Sequence, residues 1–392
     1  MPPEDAPRIY LDHNATTPLD AEARAAMLPF LEGTFGNPSS VHRAGRVARH
    51  AVEEARAAVA ALAGARLEEV IFVSGGTEAD NLALRAGLQA ARSHGRAPHL
   101  VLSPLEHPAV RECAAALARE GALVTELPVD AHGRLDPDDL RRALRPDTAL
   151  VSIQAANHEI GNVYPVAELC AIARERGALF HCDAVQAAGK MPLDAGAARP
   201  DLVSLSAHKL YGPKGVGALC ARRDLGLAPI LAGGHQERGR RPGTENVAGI
   251  VGFGVAAAVA LRRWEADAAR VAALRDRLER ALLALPGARL NGDPDPAGRV
   301  PGTLNVGFDG AEGALVAVNL DLAGVCVSTG AACSSGSLEP SPVLLALGCT
   351  RREAASSVRF SLGRDTTAAE VDEVAAMLPA ILERVRSLAP VA

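Results

Sequence analysis

The chain has 392 residues, 48% hydrophobic and 22% charged, with a formal net charge of −5. That balance excludes wholesale disorder, the acidic excess lacks the basic footprint of a nucleic-acid binder, and the length predicts about two domains. Seven cysteines, an odd count with no Cys-x-x-Cys spacing, point to a reducing compartment and away from a structural zinc site. Residues 1–8, acidic and proline-rich, lack the basic start and apolar middle of a signal peptide.

In chain order, residues 9–18 form a short apolar piece that runs into a polar turn. Residues 36–42, Gly-Asn-Pro-Ser-Ser-Val-His, form a turn cluster ahead of a long amphipathic helix over 43–62. Asn37 and His42 there read either as loop and helix cap or as residues facing a substrate. The strand over 70–74 enters Gly75-Gly76-Thr77-Glu78 and then a helix. Strand, glycine turn, hydroxyl and helix start can cradle a phosphate; the plainer reading is an ordinary tight turn. It matches neither dinucleotide nor Walker fingerprints. A strand over 99–103 ends just before His107, where a histidine is commonly a packing or capping residue. Asp136 is a plausible N-cap with Pro137 in the first turn. A strand over 149–153 precedes Asn157-His158-Glu159-Ile160-Gly161.

The strand over 178–183 ends in Asp183. A carboxylate at a buried strand end needs a cationic partner, such as a protonated pyridine nitrogen, or its pKa rises; it can equally cap the next turn. The strand over 202–206 ends in Ser206-Ala207-His208-Lys209, followed by a Gly/Pro turn. A lysine at such a place is either an ordinary surface residue or a dehydrated amine able to form a Schiff base. Strands alternating with helices over 71–219 predict an α/β fold with a mostly parallel, doubly wound sheet. The apolar run over 247–261 is short for a membrane span and predicts a buried helix. Further on come a strand over 302–308, a run of small residues over 328–337 with Cys333 inside it, and a closing helix over 368–387. Small residues cannot build a core, so Cys333 is expected in an exposed loop.

Ten motifs in order carry a resemblance. They include Tyr-Leu-Asp-His-Asn-Ala-Thr-Thr-Pro (10–18), Gly-Gly-Thr-Glu-Ala-Asp-Asn (75–81), Asp-Ala-x-Gln (183–186), Ser-x-His-Lys (206–209), Arg-x-Gly-Thr-Glu-Asn (241–246), Gly-x-Ala-Cys-Ser-Ser-Gly-Ser-Leu-Glu-Pro-Ser (330–341) and Arg-Phe-Ser-Leu-Gly-Arg (359–364). From Tyr10 to Thr367 the chain resembles the cysteine desulfurases of the NifS/IscS-like group, class V aminotransferases with the fold type I of pyridoxal-phosphate enzymes. The resemblance implies a large cofactor-binding domain over 18–262. It implies a smaller α+β domain from 1–17 and 263–392, carrying a cysteine loop at about 326–341.

It also implies roles. Lys209 would carry pyridoxal 5'-phosphate, Asp183 would pair with its ring nitrogen, Gln186 would bond its phenolic oxygen, and His107 would stack on the ring and relay protons. Gly76, Thr77, Ser206 and His208 would hold the phosphate, joined by Thr244 from the second subunit of a homodimer. Asn157 and Arg359 would fix the substrate carboxylate, with Asn37 on the substrate side. Cys333 would take the sulfur of L-cysteine as a persulfide, release L-alanine, and pass the sulfur to an acceptor protein such as an iron–sulfur scaffold, or towards tRNA or cofactor thiolation. The resemblance implies a cytoplasmic location, with no metal, membrane or direct nucleic-acid partner. A selenocysteine lyase or another class V aminotransferase is the alternative. His158, where the family often has asparagine, and Pro242 depart from its pattern.

Overall fold

The computed structural model describes residues 9–93, 98–193, 199–330 and 339–388. Seven strands build the central sheet: β2 (Val70–Val73), β3 (His99–Leu102), β4 (Leu123–Glu126), β5 (Thr148–Ser152), β6 (Leu179–Asp183), β7 (Leu202–Ser206) and β8 (Gly217–Ala221). Their order is β2-β8-β7-β6-β5-β3-β4. The run from β7 to β4 is parallel throughout, and β8 is antiparallel to both of its neighbours. The expected doubly wound sheet is therefore present, with one reversed strand near an edge.

The buried strands are largely apolar on both sides because helices cover both faces, with a few buried polar residues among them. On one face Leu100, Leu150, Leu202 and Leu219 meet Leu82, Ala83 and Ala86 of α3 (Gly76–Ser93) and Val110, Ala114 and Leu117 of α4 (Pro108–Arg119). On the other, Val101, Val151, Phe180 and Val203 meet α2 (Arg43–Leu62), α6 (Val166–Glu175) and α7 (Val247–Leu283). His42 caps α2, its ring nitrogen accepting from the Gly45 N–H at 3.3 Å, so the structure gives it the helix-cap role rather than a substrate-facing one. Asp136 likewise accepts from the Asp138 N–H at the head of α5 (Pro137–Ala143).

Helix α7 is long and apolar enough, by composition alone, to cross a membrane. Its first half is instead packed within the fold: Ile250, Phe253, Ala256 and Ala257 are buried in the core, and the helix lies along α1 (Ala21–Leu31) and α2. The run over 247–261 is thus a buried helix, as its length predicts.

A separate apolar core gathers both ends of the chain. Ile9 and Leu11 join Val271, Leu278, Leu304, Phe308, Val358, Phe360, Val374 and Leu378. It is built on a three-stranded antiparallel sheet of β9 (Ala288–Leu290), β10 (Thr303–Phe308) and β12 (Ser357–Ser361), and on the parallel pair β1 (Ile9–Tyr10) and β11 (Val325–Cys326). Helices α8 (Gly313–Leu322) and α11 (Ala368–Leu388) cover it, with the short α9 (Pro342–Ala346) and α10 (Arg351–Ala355) between them. Residues 12–17, just past β1, run from this core to the strand ends of the large sheet, where the Thr17 N–H donates to His208 O.

Candidate functional site

Alternation along β6 and β7 decides which side chains meet. Leu179, His181 and Asp183 share one face, as do Leu202, Ser204 and Ser206. That face is the one covered by α3, since Leu202 packs on the α3 core and His181 Nε2 lies 2.9 Å from Ser204 Oγ. Asp183 and Ser206 therefore emerge together at the strand ends, beside the N-terminus of α3. A cleft of about 770 Å³ opens there, lined by Asn14, Gly76, Thr77, Asp80, His107, His158, Asp183, Gln186, Ser206, His208, Lys209 and Arg359 among others. In open α/β sheets the carboxyl ends of the strands are where ligands bind.

One side of the cleft is built for an anion. The first N–H groups of a helix lack intrahelical partners and carry the positive end of its dipole. Gly76 opens α3 there, and a Cβ on it would stand 3.0 Å from Val185 Cγ2 and 3.6 Å from Ser206 Cβ, crowding the cradle. Thr77, Ser206 and His208 surround it. His208 Nδ1 lies 3.1 Å from Thr16 Oγ1, and burial, then the charges of Lys209 and Lys214, lowers its pKa to about 4.

Lys209 ends the single 3-10 turn after β7. Its Nζ donates to Asn14 O at 2.5 Å and Ala15 O at 2.8 Å. The chain then reverses through Tyr211, held at φ 67°, a conformation costly for a bulky side chain. Its surroundings over-determine it: the N–H donates to Thr17 Oγ1 at 2.8 Å, and the Arg364 guanidinium sits 3.9 Å over the ring.

Asp183 accepts the Val185 N–H at 2.9 Å and lies among other buried carboxyls. Burial raises its pKa despite the opposing Val185 hydrogen bond and the charges of His158 and Lys209. Asp80 and Glu106 are pushed further up, by burial first and by the Asp183 charge. Like charges so close and so dry are not all ionised together. His181 lies beneath, 2.8 Å from Ser152 Oγ through Nδ1, and burial lowers its pKa to about 3, so its ring is neutral.

Glu106→Gln tests this charge state. An unfolded glutamate ionises above about pH 4.5, whereas the folded one keeps its proton to higher pH. The folded state then binds more protons over that interval, so this residue's contribution to stability falls as pH rises through it. Urea unfolding of the apo variant should therefore improve relative to the parent between pH 5 and pH 8. A constant difference would mean that Glu106 is ionised in the fold.

His107 caps α4, its Nδ1 accepting from the Ala109 N–H at 3.1 Å, which leaves the proton of the neutral ring on Nε2. Burial first, then the charges of His158 and Lys209, bring its pKa to about 3. The capping role of the plainer reading is thus real, and the same ring also lines the cleft. It meets the ring of His158 edge-on at 5.1 Å. Arg359 enters from β12, with Nη2 2.7 Å from Asp12 Oδ1 and Nη1 donating to His158 O, while its buried Nε makes no hydrogen bond.

Three expected residues do not line this cleft. Asn157 is wholly buried: its Nδ2 donates to Leu105 O at 2.9 Å, and its Oδ1 accepts the N–H groups of Glu159 and Ile160. It holds the turn that presents His158. Asn37 is exposed and closes a local turn by accepting the Ser39 N–H. Thr244 is exposed too, in a neighbouring groove with Ser74 and Gly215. Its segment is tied to the head of α3 by Arg241, whose Nε lies 2.8 Å from Glu78 Oε1. Cys333 lies outside the described residues. Sequence reasoning misses Asn14, Asp80, Glu106, His181 and Lys190 as residues of the site. The signal for His181 and Asp80 is a polar residue at a position where the strand or helix faces the core.

The family model for aminotransferase class-V matches residues 9–374. The chain belongs to that family. It is 50% identical over 386 residues to a cysteine desulfurase of Cereibacter sphaeroides, covering 98% of each chain. Its fold superposes on a NifS-like protein with a TM-score of 0.89 at 35% identity, covering 96% of this chain and 100% of that one. A second solved structure, SspA in complex with cysteine, aligns with a TM-score of 0.79 at 32% identity over 92% of this chain and 100% of that one. The motif resemblance to cysteine desulfurases is borne out, and the α/β fold of this class V aminotransferase is the one expected.

Proposed function

We propose that this chain is a cysteine desulfurase that uses pyridoxal 5'-phosphate. The observation that carries the reading is one cleft in which an amine, a buried carboxyl and an anion cradle converge: Lys209, Asp183, and Gly76 with Thr77, Ser206 and His208. A pyridoxal phosphate matches that set group for group. Lys209 would hold its aldehyde, the α3 N-terminus with Thr77, Ser206 and His208 its phosphate, and Asp183 its protonated ring nitrogen, a cation that would let Asp183 ionise among its acidic neighbours. When bound, the cofactor supplies an electron sink for charge developing on the substrate.

The rest of the reaction belongs to the side chains. Arg359, already turned into the cleft by Asp12 and His158 O, offers its guanidinium to the carboxylate of L-cysteine. His107, neutral, with Nε2 carrying the proton and lining the same cleft, would exchange a proton with the bound substrate. Cys333 attacks the substrate sulfur as a thiolate. The sulfur–carbon bond breaks, its electron pair stays on the substrate carbon, and protonation there gives L-alanine. Overall, L-cysteine and the Cys333 thiol become L-alanine and a Cys333 persulfide, whose outer sulfur passes to an acceptor protein in the cytoplasm.

The active species we propose is a homodimer. Phe35 and Val41, flanking Asn37, are 85% and 88% exposed, which suits an interface better than open solvent. Thr244 and Asn37, away from the cleft of their own chain, then serve the partner's cleft. The purified protein should be yellow and should form L-alanine and sulfide from L-cysteine with a reductant present. A colourless protein that takes up no pyridoxal phosphate would overturn the reading.

A further inference from the structure

Behind Gln186 stands a second lysine. Lys190 Nζ donates to Gln186 Oε1 at 2.8 Å and to Asn14 Oδ1 at 3.2 Å. Gln186 in turn donates through Nε2 to Asn14 O at 2.9 Å, the same carbonyl that receives Lys209 Nζ. An ammonium can only donate and a carbonyl can only accept, so these two neighbours leave the Gln186 carboxamide one orientation. Its second Nε2 proton remains for the cleft. Asn14 is fixed as firmly, since its Nδ2 donates to His158 O and to Thr303 Oγ1 at 2.8 Å.

We propose that Lys190 is a positioning residue of this site, locking the amide of Gln186 and the residue-14 carbonyl against which Lys209 rests, and setting a second cation beside Lys209. The inference rests on the pyridoxal phosphate reading, in which Gln186 faces the phenolic oxygen of the ring. Among the described residues, the groups whose charges bear on Lys190 or respond to it are Lys209, Arg359 and His13, while Arg263, Asp267 and Arg364 line a cavity on its far side. Burial, then the charges of Lys209 and Arg359, bring its pKa to about 7, and burial followed by the Lys190 charge lowers that of His13 to about 4. No carboxylate among the described residues pairs with it, and its hydrogen-bond partners are the amide oxygens of Gln186 and Asn14. A cation placed next to an amine that must lose its proton promotes that loss, and the two lysines titrate as a pair.

The test uses the cofactor-loaded protein with Lys190→Met and Lys190→Gln. Its readouts are the pH midpoint of the visible band and the dissociation constant of pyridoxal phosphate for the apo protein. Lys190→Met should move the midpoint up by about one pH unit, because the neighbouring cation no longer disfavours a protonated Lys209 nitrogen. It should also weaken cofactor binding about tenfold, a loss of about 1.4 kcal/mol, by releasing the Gln186 amide. Lys190→Gln, which keeps a donor without the charge, should show the same midpoint shift and recover much of the binding. Apo Lys190→Met should melt no lower than the parent, since a lysine whose pKa is lowered on folding costs stability below its unfolded pKa. Should the Met variant fail to fold, the Gln variant decides. A midpoint unmoved in the folded variants overturns the proposal while the yellow parent leaves the cofactor reading intact; a colourless parent overturns both.

Discussion

Lys209→Ala is expected to lose covalent attachment of pyridoxal phosphate and to lower L-alanine formation by roughly 10³-fold or more, as loss of a covalent catalytic group does. The lysine sits just past the end of β7, its Nζ held by the carbonyls of Asn14 and Ala15 in the cleft that Asp183 and the α3 cradle also line. Alanine removes the amine without disturbing the 3-10 turn, because the Tyr211 reversal is held independently by Thr17 and Arg364. Borohydride reduction with subsequent peptide mass mapping reads the attachment directly. In the parent the cofactor mass should fall on Lys209, and in the variant on no peptide. Lys190 makes this a real test, being a second amine of lowered pKa directly behind Gln186. Label on Lys190 in the parent would reassign the anchor. A variant that keeps full activity would remove Lys209 from the chemistry.

Much of this site is legible because strand ends are marked twice in the sequence, once by where an apolar run stops and once by the glycine, proline or hydroxyl residues of the next turn. Lys209, Asp183, Ser206 and the Gly76-Thr77 turn all sit at such stops, and they converge because a parallel sheet aligns its strand ends. The helix over 43–62 and the strand over 202–206 lie at the expected bounds, since both have unbroken periodicity between turn residues. The polar layer inside the fold is harder to read. His181 lies within an otherwise core-like Leu-Phe-His-Cys-Asp, and only the pairing of β5, β6 and β7 brings Ser152 and Ser204 to its two nitrogens. Asp80 and Glu106 look like helix-start and loop acids in the sequence. Their burial against Asp183 depends on contacts between segments far apart in the chain. Asn157 shows the reverse case: a carboxamide expected to face a ligand is used up on backbone groups within its own turn and on Leu105 O.

Cys333→Ala is expected to leave the yellow protein intact and to end sulfur removal, with L-alanine formation falling by roughly 10³-fold or more because the only step it loses is attack on the substrate sulfur. Six of the seven cysteines lie among the described residues, and none of those six lines the cleft. Burial pushes the thiols of Cys113 and Cys170 up to about 11 and that of Cys220 to about 12, with Cys182 raised well above the ordinary thiol value. A thiol with so high a pKa has almost no thiolate at neutral pH, and thiolate is what attacks sulfur. Mixing the parent with L-cysteine, alkylating, and mapping peptides by mass should therefore place one extra sulfur atom on the peptide holding Cys333. The same map of the variant should show none. Because Lys209, Asp183 and Arg359 are untouched, the variant should still change its visible spectrum on adding L-cysteine, which separates substrate capture from sulfur transfer. Undiminished sulfide release from the variant, or an extra sulfur on Cys326 or Cys349 in the parent, would assign the nucleophile elsewhere.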